Sequence, residues 1–122
     1  MASVLIIDDD TSIRRVVRAA LERAGHRVAE AGNGAEGMQR YRMAPADLVI
    51  TDVFMPDQDG IETIQQLREE FPAARILAIS GGSVAGTSGT LRDALLLGAD
   101  ATLAKPFTIE QLTRIIDGML AE

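Results

Sequence analysis

Residues 3–10 read Ser-Val-Leu-Ile-Ile-Asp-Asp-Asp, and the fold turns on them. An unbroken run of branched apolar residues fits a strand covered on both faces, because a strand with one wet face would alternate. Three aspartates end the run abruptly. This strand therefore delivers carboxylates at its carboxyl end.

The chain downstream keeps alternating between strand and helix. Ile13, Val16, Val17, Ala20, Leu21 and Ala24 fall on one helical face, and Gly25 stops that helix. Residues 27–31 (RVAEA) read as a weaker second strand. Asn33, with Glu36 three places on, caps a helix that ends before Pro45. Residues 47–51 (DLVIT) are the third strand, and a turn-rich stretch, 52–60, leads into a helix carrying Ile61, Ile64, Leu67 and Phe71. Residues 75–79 (RILAI) are the fourth strand. A low-propensity stretch, 80–90, and a short helix around 91–97 closed by Gly98 follow it. Residues 101–104 (ATLA) are the fifth strand. Pro106 then breaks the chain, and Thr108 with Gln111 caps a final helix bearing Leu112, Ile115, Ile116 and Met119 on one face. Five β–α units of this length predict an α/β fold, with a five-stranded parallel sheet, doubly wound as (βα)5.

Composition narrows the class. At 122 residues the chain fits one domain, able to bury a core without a covalent staple. It has no cysteine, which excludes disulfides and thiolate metal sites and makes a reducing cytoplasm the natural compartment. Residues 1–7 lack the basic start of a secretory signal, and no apolar run approaches the ~20 residues of a membrane span. A net charge of −6, with only Tyr41, Phe54, Phe71 and Phe107 as aromatics, argues against direct nucleic-acid binding.

In open α/β sheets, ligands sit beyond the carboxyl ends of the strands. Those ends carry Asp8-Asp9-Asp10, Asp52, Ser80 and Lys105-Pro106. Several carboxylates in one pocket oppose each other's ionisation unless a cation sits among them. Oxygen-only donors favour a hard ion, Mg²⁺ above Zn²⁺. A carboxylate beside such an ion can attack a phosphoryl group, while Lys105 and the Ser80 hydroxyl hold the remaining phosphoryl oxygens.

This constellation, Asp8-Asp9 after LII, Asp52 within TDVFMPDQDG, Ser80 after ILAI and Lys105-Pro106-Phe107, resembles the response-regulator receiver domain of two-component signalling. The resemblance covers residues 1–122 as one receiver domain and implies the flavodoxin-like strand order 2-1-3-4-5. It implies that Asp52 accepts a phosphoryl group from a sensor histidine kinase or a histidine phosphotransfer protein. By the same resemblance Asp8 or Asp9 (Asp9 preferred as direct ligand), Asp52 and the Phe54 backbone carbonyl bind Mg²⁺. Ser80 and Lys105 contact the phosphoryl group, and the Lys105–Pro106 peptide is cis. The output face is the helix around 91–97, the fifth strand and the final helix. Such a module signals and is not a turnover enzyme. Met1 and the final helix favour a stand-alone chain over a domain excised from a larger protein, and both readings stay open.

Three features depart from the family pattern. Thr102 stands where many receivers carry an aromatic residue that reports phosphorylation. The stretch 80–90 is unusually rich in glycine and therefore costly to order. Bulky Phe54 and small Gly82 flank the path of an attacking water, so Phe54 is expected to lengthen the phosphoryl lifetime. Other residues carry blander readings. Asp10 is an acid at a helix start, with Thr11 or Ser12 as possible caps. Arg14, Arg15 and Arg18 form a solvated helix face, His26 is an exposed loop residue, and Met38 and Met43 pack or line helix faces.

Two rivals compete with the receiver reading. Asp8-Asp9-Asp10-Thr11-Ser12 nearly meets the first motif of haloacid-dehalogenase-like phosphatases, with Asp8 as nucleophile and Asp10 as acid/base. The chain is short for that family and has no late acidic pair, since Asp93 and Asp100 are isolated. The other rival is a binding domain that uses the fold without phosphorylation, and the full set of polar groups counts against it.

Overall fold

The apolar run at the amino end forms β1 (Ser3–Ile7), followed by α1 (Thr11–Arg23), β2 (Arg27–Ala31), α2 (Gly34–Met43) and β3 (Leu48–Asp52). After these come α3 (Gly60–Glu70), β4 (Ile76–Ser80), β5 (Ala101–Ala104) and α4 (Ile109–Leu120). The structure, a computed structural model, describes residues 2–53, 60–80 and 98–121. The expected Phe54 carbonyl ligand, the water path at Phe54 and Gly82, most of the glycine-rich stretch and the helix around 91–97 lie outside the described residues.

The strands form one parallel sheet in the order β2-β1-β3-β4-β5, as expected for a doubly wound domain. Side chains alternate across it, so each central strand feeds two cores. Leu5, Ile7, Val49, Ile76 and Ala78 meet Met38 and Tyr41 of α2 and Ile64 and Leu67 of α3. Val4, Ile6, Leu48, Ile50, Leu77 and Ile79 meet Val17 and Leu21 of α1 and Leu112, Ile116 and Met119 of α4. This double burial is why the strands read as unbroken apolar runs. Each fully buried Leu or Ile contributes roughly 1.5–3 kcal/mol.

The helix ends follow local chemistry. Asn33 Oδ1 accepts the Glu36 N–H at 2.8 Å, and Thr108 and Gln111 form a reciprocal capping box. Gly25, at φ 95°, turns the chain after α1. The cap of α1 is Asp10, whose Oδ1 accepts from the N–H groups of Ser12 and Ile13, and not Thr11 or Ser12. Gly37 lets α2 lie directly on β1, where a Cβ would collide with Ile7.

Several sequence expectations need correction. β3 and β4 each sit one residue later than the apolar runs suggested. Asp47 leaves the strand because its carboxylate accepts from the N–H and hydroxyl of Ser3. Asp100 Oδ2 accepts the Ile76 N–H. Asp52 and Ser80 are thus the last residues of their strands. Val16 is 57% exposed and Met43 81%, while Met38 is core. His26 is half-buried, and its Nδ1 accepts the Ala2 N–H at 3.1 Å.

Candidate functional site

The hydrogen-bond ladder of the sheet runs one residue past three of its strands, and this sets the site. Asp8 N–H donates to the Ala31 carbonyl, Val53 N–H to the Ile79 carbonyl and Lys105 N–H to the Ser80 carbonyl. The roots of Asp8, Asp52, Ser80 and Lys105 are therefore held along one edge of the sheet. The Lys105–Pro106 peptide is cis, as expected. Gly60 opens α3 directly behind Asp52: its N–H donates to Val53 O at 3.1 Å, and a Cβ there would collide with the Asp52 carbonyl oxygen and Val53 Cα.

Lys105 Nζ lies 2.9 Å from Asp52 Oδ2 and 3.4 Å from Asp8 Oδ2. Asp8 and Asp52 are only 3% and 6% exposed, whereas Asp9 is exposed. Asp8, Asp9 and Asp52 each present a carboxylate oxygen, all within 4.8 Å of one another. Burial pushes the Asp8 carboxyl up to about 6; the nearby Asp52 charge adds to this, while the Asp10 N–H at 2.9 Å on Oδ1 and Lys105 pull the other way. For Lys105 the largest influence is burial, which disfavours its charge. The combined pull of Asp52 and Asp8 outweighs it and holds the ammonium above its ordinary value. The Ser80 hydroxyl is fully buried and makes no hydrogen bond among the described residues. A buried hydroxyl without a partner is costly unless a further polar group completes the site.

Three converging carboxylate oxygens with no nitrogen or sulfur donor fit a hard divalent cation. The pocket thus brings together Asp8, Asp9, Asp52 and Lys105, with Ser80 at the adjoining strand end. It does not enlist Asp10, whose carboxylate is committed to the α1 cap. Asp100 precedes β5 at the opposite end of the sheet and pairs with Arg68, so it supplies no late acidic ligand.

Two residues at this edge were not read from the sequence. Gly60 could have been suspected as a glycine opening a helix just after an acidic strand end. Arg14, assigned to a solvated face, instead bonds the Asp8 carbonyl and Glu30; its signal was an arginine one turn after the acids, facing an acid on β2.

A doubly wound parallel sheet with its polar groups gathered at the carboxyl edge defines an α/β domain whose chemistry sits at the ends of β1, β3, β4 and β5. The chain belongs to the response regulator receiver domain family, whose sequence model matches residues 4–117. It is 35% identical over 123 residues to the response regulator receiver protein CpdR of Brucella abortus, covering 98% of each chain. It is also 35% identical to the DNA-binding transcriptional regulator NtrC of Azospirillum brasilense, where it spans 98% of itself but only 24% of that protein. A CheY-like receiver domain protein from Methanospirillum hungatei superposes with a TM-score of 0.90 at 27% identity, over 99% of this chain and 94% of that one. The family is a signalling module of two-component systems. Among the described residues, no helix is long and apolar enough to cross a membrane.

Proposed function

We propose that residues 1–122 form the phosphoacceptor switch of a cytoplasmic two-component phosphorelay, with Asp52 taking a phosphoryl group from a sensor histidine kinase or a histidine phosphotransfer protein. An Asp52 carboxylate oxygen attacks phosphorus as the P–N bond of the phosphohistidine breaks, and the imidazole leaves with the electron pair. Mg²⁺ would be held directly by Asp9 and Asp52, with Asp8 beside them and the Phe54 carbonyl as a further ligand. Mg²⁺, when bound, offsets the negative charge that gathers in the transition state.

The chain's own residues do the rest. Lys105 pairs with Asp52 before transfer and is in reach of a phosphoryl oxygen on that carboxylate afterwards. The Ser80 hydroxyl, which has no partner among the described residues, donates to a second phosphoryl oxygen. With Thr102 in place of an aromatic, the state of Asp52 is reported through Ser80 and β4 to the face of β5, α4 and the segment around 91–97. A partner protein that prefers one state of this face reads the signal. The chain is a switch and does not turn over an external substrate.

The observation that carries this reading is one ammonium bridging two buried aspartates inside an all-oxygen cluster, beside a buried hydroxyl that has no partner among the described residues. The test is incubation with acetyl phosphate, read by intact mass. The wild type gains one phosphoryl group with Mg²⁺ and none with EDTA, and Asp52→Asn gains none. Equal labelling of Asp52→Asn would remove the acceptor assignment.

A further inference from the structure

Arg14 lies against β2. Its Nη1 donates to the Asp8 carbonyl oxygen at 2.6 Å and its Nε to Glu30 Oε1 at 3.0 Å. Glu30 is held from its other oxygen by Arg18 Nη1 at 2.7 Å, and Arg18 Nε reaches Glu22 at 3.1 Å. The Arg14 side chain is about four-fifths buried, and Arg18, followed by Arg14, holds Glu30 below the usual carboxylate range. This is a braced fork and not a loose surface pair.

The carbonyl that Arg14 holds belongs to the peptide joining Asp8 to Asp9. The Asp8 N–H is fixed to Ala31 O and its Oδ1 to the Asp10 N–H. The carbonyl is the remaining backbone freedom of Asp8, and rotating that peptide changes the angle between the Asp8 and Asp9 side chains. A carbonyl bound to Arg14 also cannot turn into the acidic pocket and add to its negative potential.

We infer that Arg14 is a positioning residue for the acidic cluster: braced by Glu30 and Arg18, it fixes the Asp8–Asp9 peptide so that both carboxylates converge with Asp52 on one divalent cation. The inference rests on the Mg²⁺ reading of the pocket. It makes cation affinity depend on residues that never touch the cation, through a chain that reaches the exposed surface of α1 at Arg18 and Glu22.

The test is calorimetric titration of the full chain with Mg²⁺, with urea denaturation in EDTA as the measure of the metal-free fold. Arg14→Gln should weaken Mg²⁺ binding about 10–100-fold, the usual effect of removing a group that orients a ligand, with the metal-free midpoint little changed. Glu30→Gln should weaken it less. The double variant should fall short of the product of the two single losses, because both act through one peptide. Arg14→Lys, which keeps one donor but not the fork, should recover part of the loss. Wild-type Mg²⁺ affinity in Arg14→Gln overturns the inference, as does a loss that only follows a fall in the metal-free midpoint. Should Arg14→Gln fail to fold, Glu30→Gln and Arg14→Lys carry the comparison, and unchanged affinity in both overturns it. A wild type that binds no Mg²⁺ overturns the reading beneath, a different result from a wild type that binds and an Arg14→Gln that binds equally.

Discussion

Replacing Asp8 by Asn should stabilise the metal-free protein at neutral pH, and the size of the gain follows from the pocket. Burial, aided by Asp52, raises the Asp8 carboxyl from an ordinary 3.8 to about 6. Each tenfold change in proton affinity is worth about 1.4 kcal/mol, so ionised Asp8 costs the fold on the order of 3 kcal/mol. The folded state keeps a proton that the unfolded chain releases between these values. Asp8's contribution is therefore fully present below about pH 4 and lost as the pH rises through about 6. Asn keeps the oxygen that accepts the Asp10 N–H but has no proton to lose. Carboxylates outside the pocket titrate alike in both proteins, so their difference reports the pocket around Asp8.

The assay is urea denaturation in EDTA, followed by far-UV circular dichroism because the chain has one Tyr and no Trp. Between about pH 4 and about pH 7.5, the advantage of Asp8→Asn over the wild type should grow by on the order of 3 kcal/mol. Mg²⁺ should then raise the wild-type midpoint by mass action and the Asn variant's by less. A difference that stays constant across this pH range, or shrinks as pH rises, would refute the charge-crowding account.

Three other substitutions probe the site and the sheet that carries it. Ser80→Ala should leave the resting protein as stable or more so, by about 1 kcal/mol, since it removes a buried hydroxyl that has no partner among the described residues; acetyl phosphate labelling should slow, and thermal melts with labelling rates check both. Gly60→Ala should cost at least about 1–3 kcal/mol, because its Cβ collides with the backbone of Asp52 and Val53, and it should shift the Asp52 amide in an NMR spectrum. Arg68→Ala should cost about 2–3 kcal/mol in a denaturant melt. Its guanidinium bonds the carbonyls of Gly98, Pro72 and Ala74 and the Asp100 carboxylate, tying α3 to the starts of β4 and β5.

The sheet was legible because burial on both faces leaves no alternation, and β1 carries that signal without ambiguity in Val4–Ile7. Helix ends at Asn33 and Thr108 were legible because capping is local chemistry. What escaped depends on contacts distant in sequence. β3 and β4 slipped by one residue because Asp47 and Asp100 bind neighbouring strands' N–H groups, which no apolar count reports. Val16 falls on the apolar period of α1 yet lies beside an open groove shared with Phe107 and Ile109. Arg14 looked like its neighbour Arg15, and only the fold shows that it reaches back over the helix start to a carbonyl. The candidate pocket was legible for the opposite reason. In a parallel sheet the polar ends of strands must meet, whatever the intervening helices do.

Locating the phosphoryl group within the chain tests the central claim most directly. After labelling with acetyl phosphate and Mg²⁺, borohydride reduction of the acyl phosphate marks the acceptor, and peptide mass spectrometry reads its position. The account predicts the mark on Asp52. A mark on Asp8 would contradict it and point to the phosphatase-like arrangement, and an unmarked protein would leave the fold without the proposed chemistry.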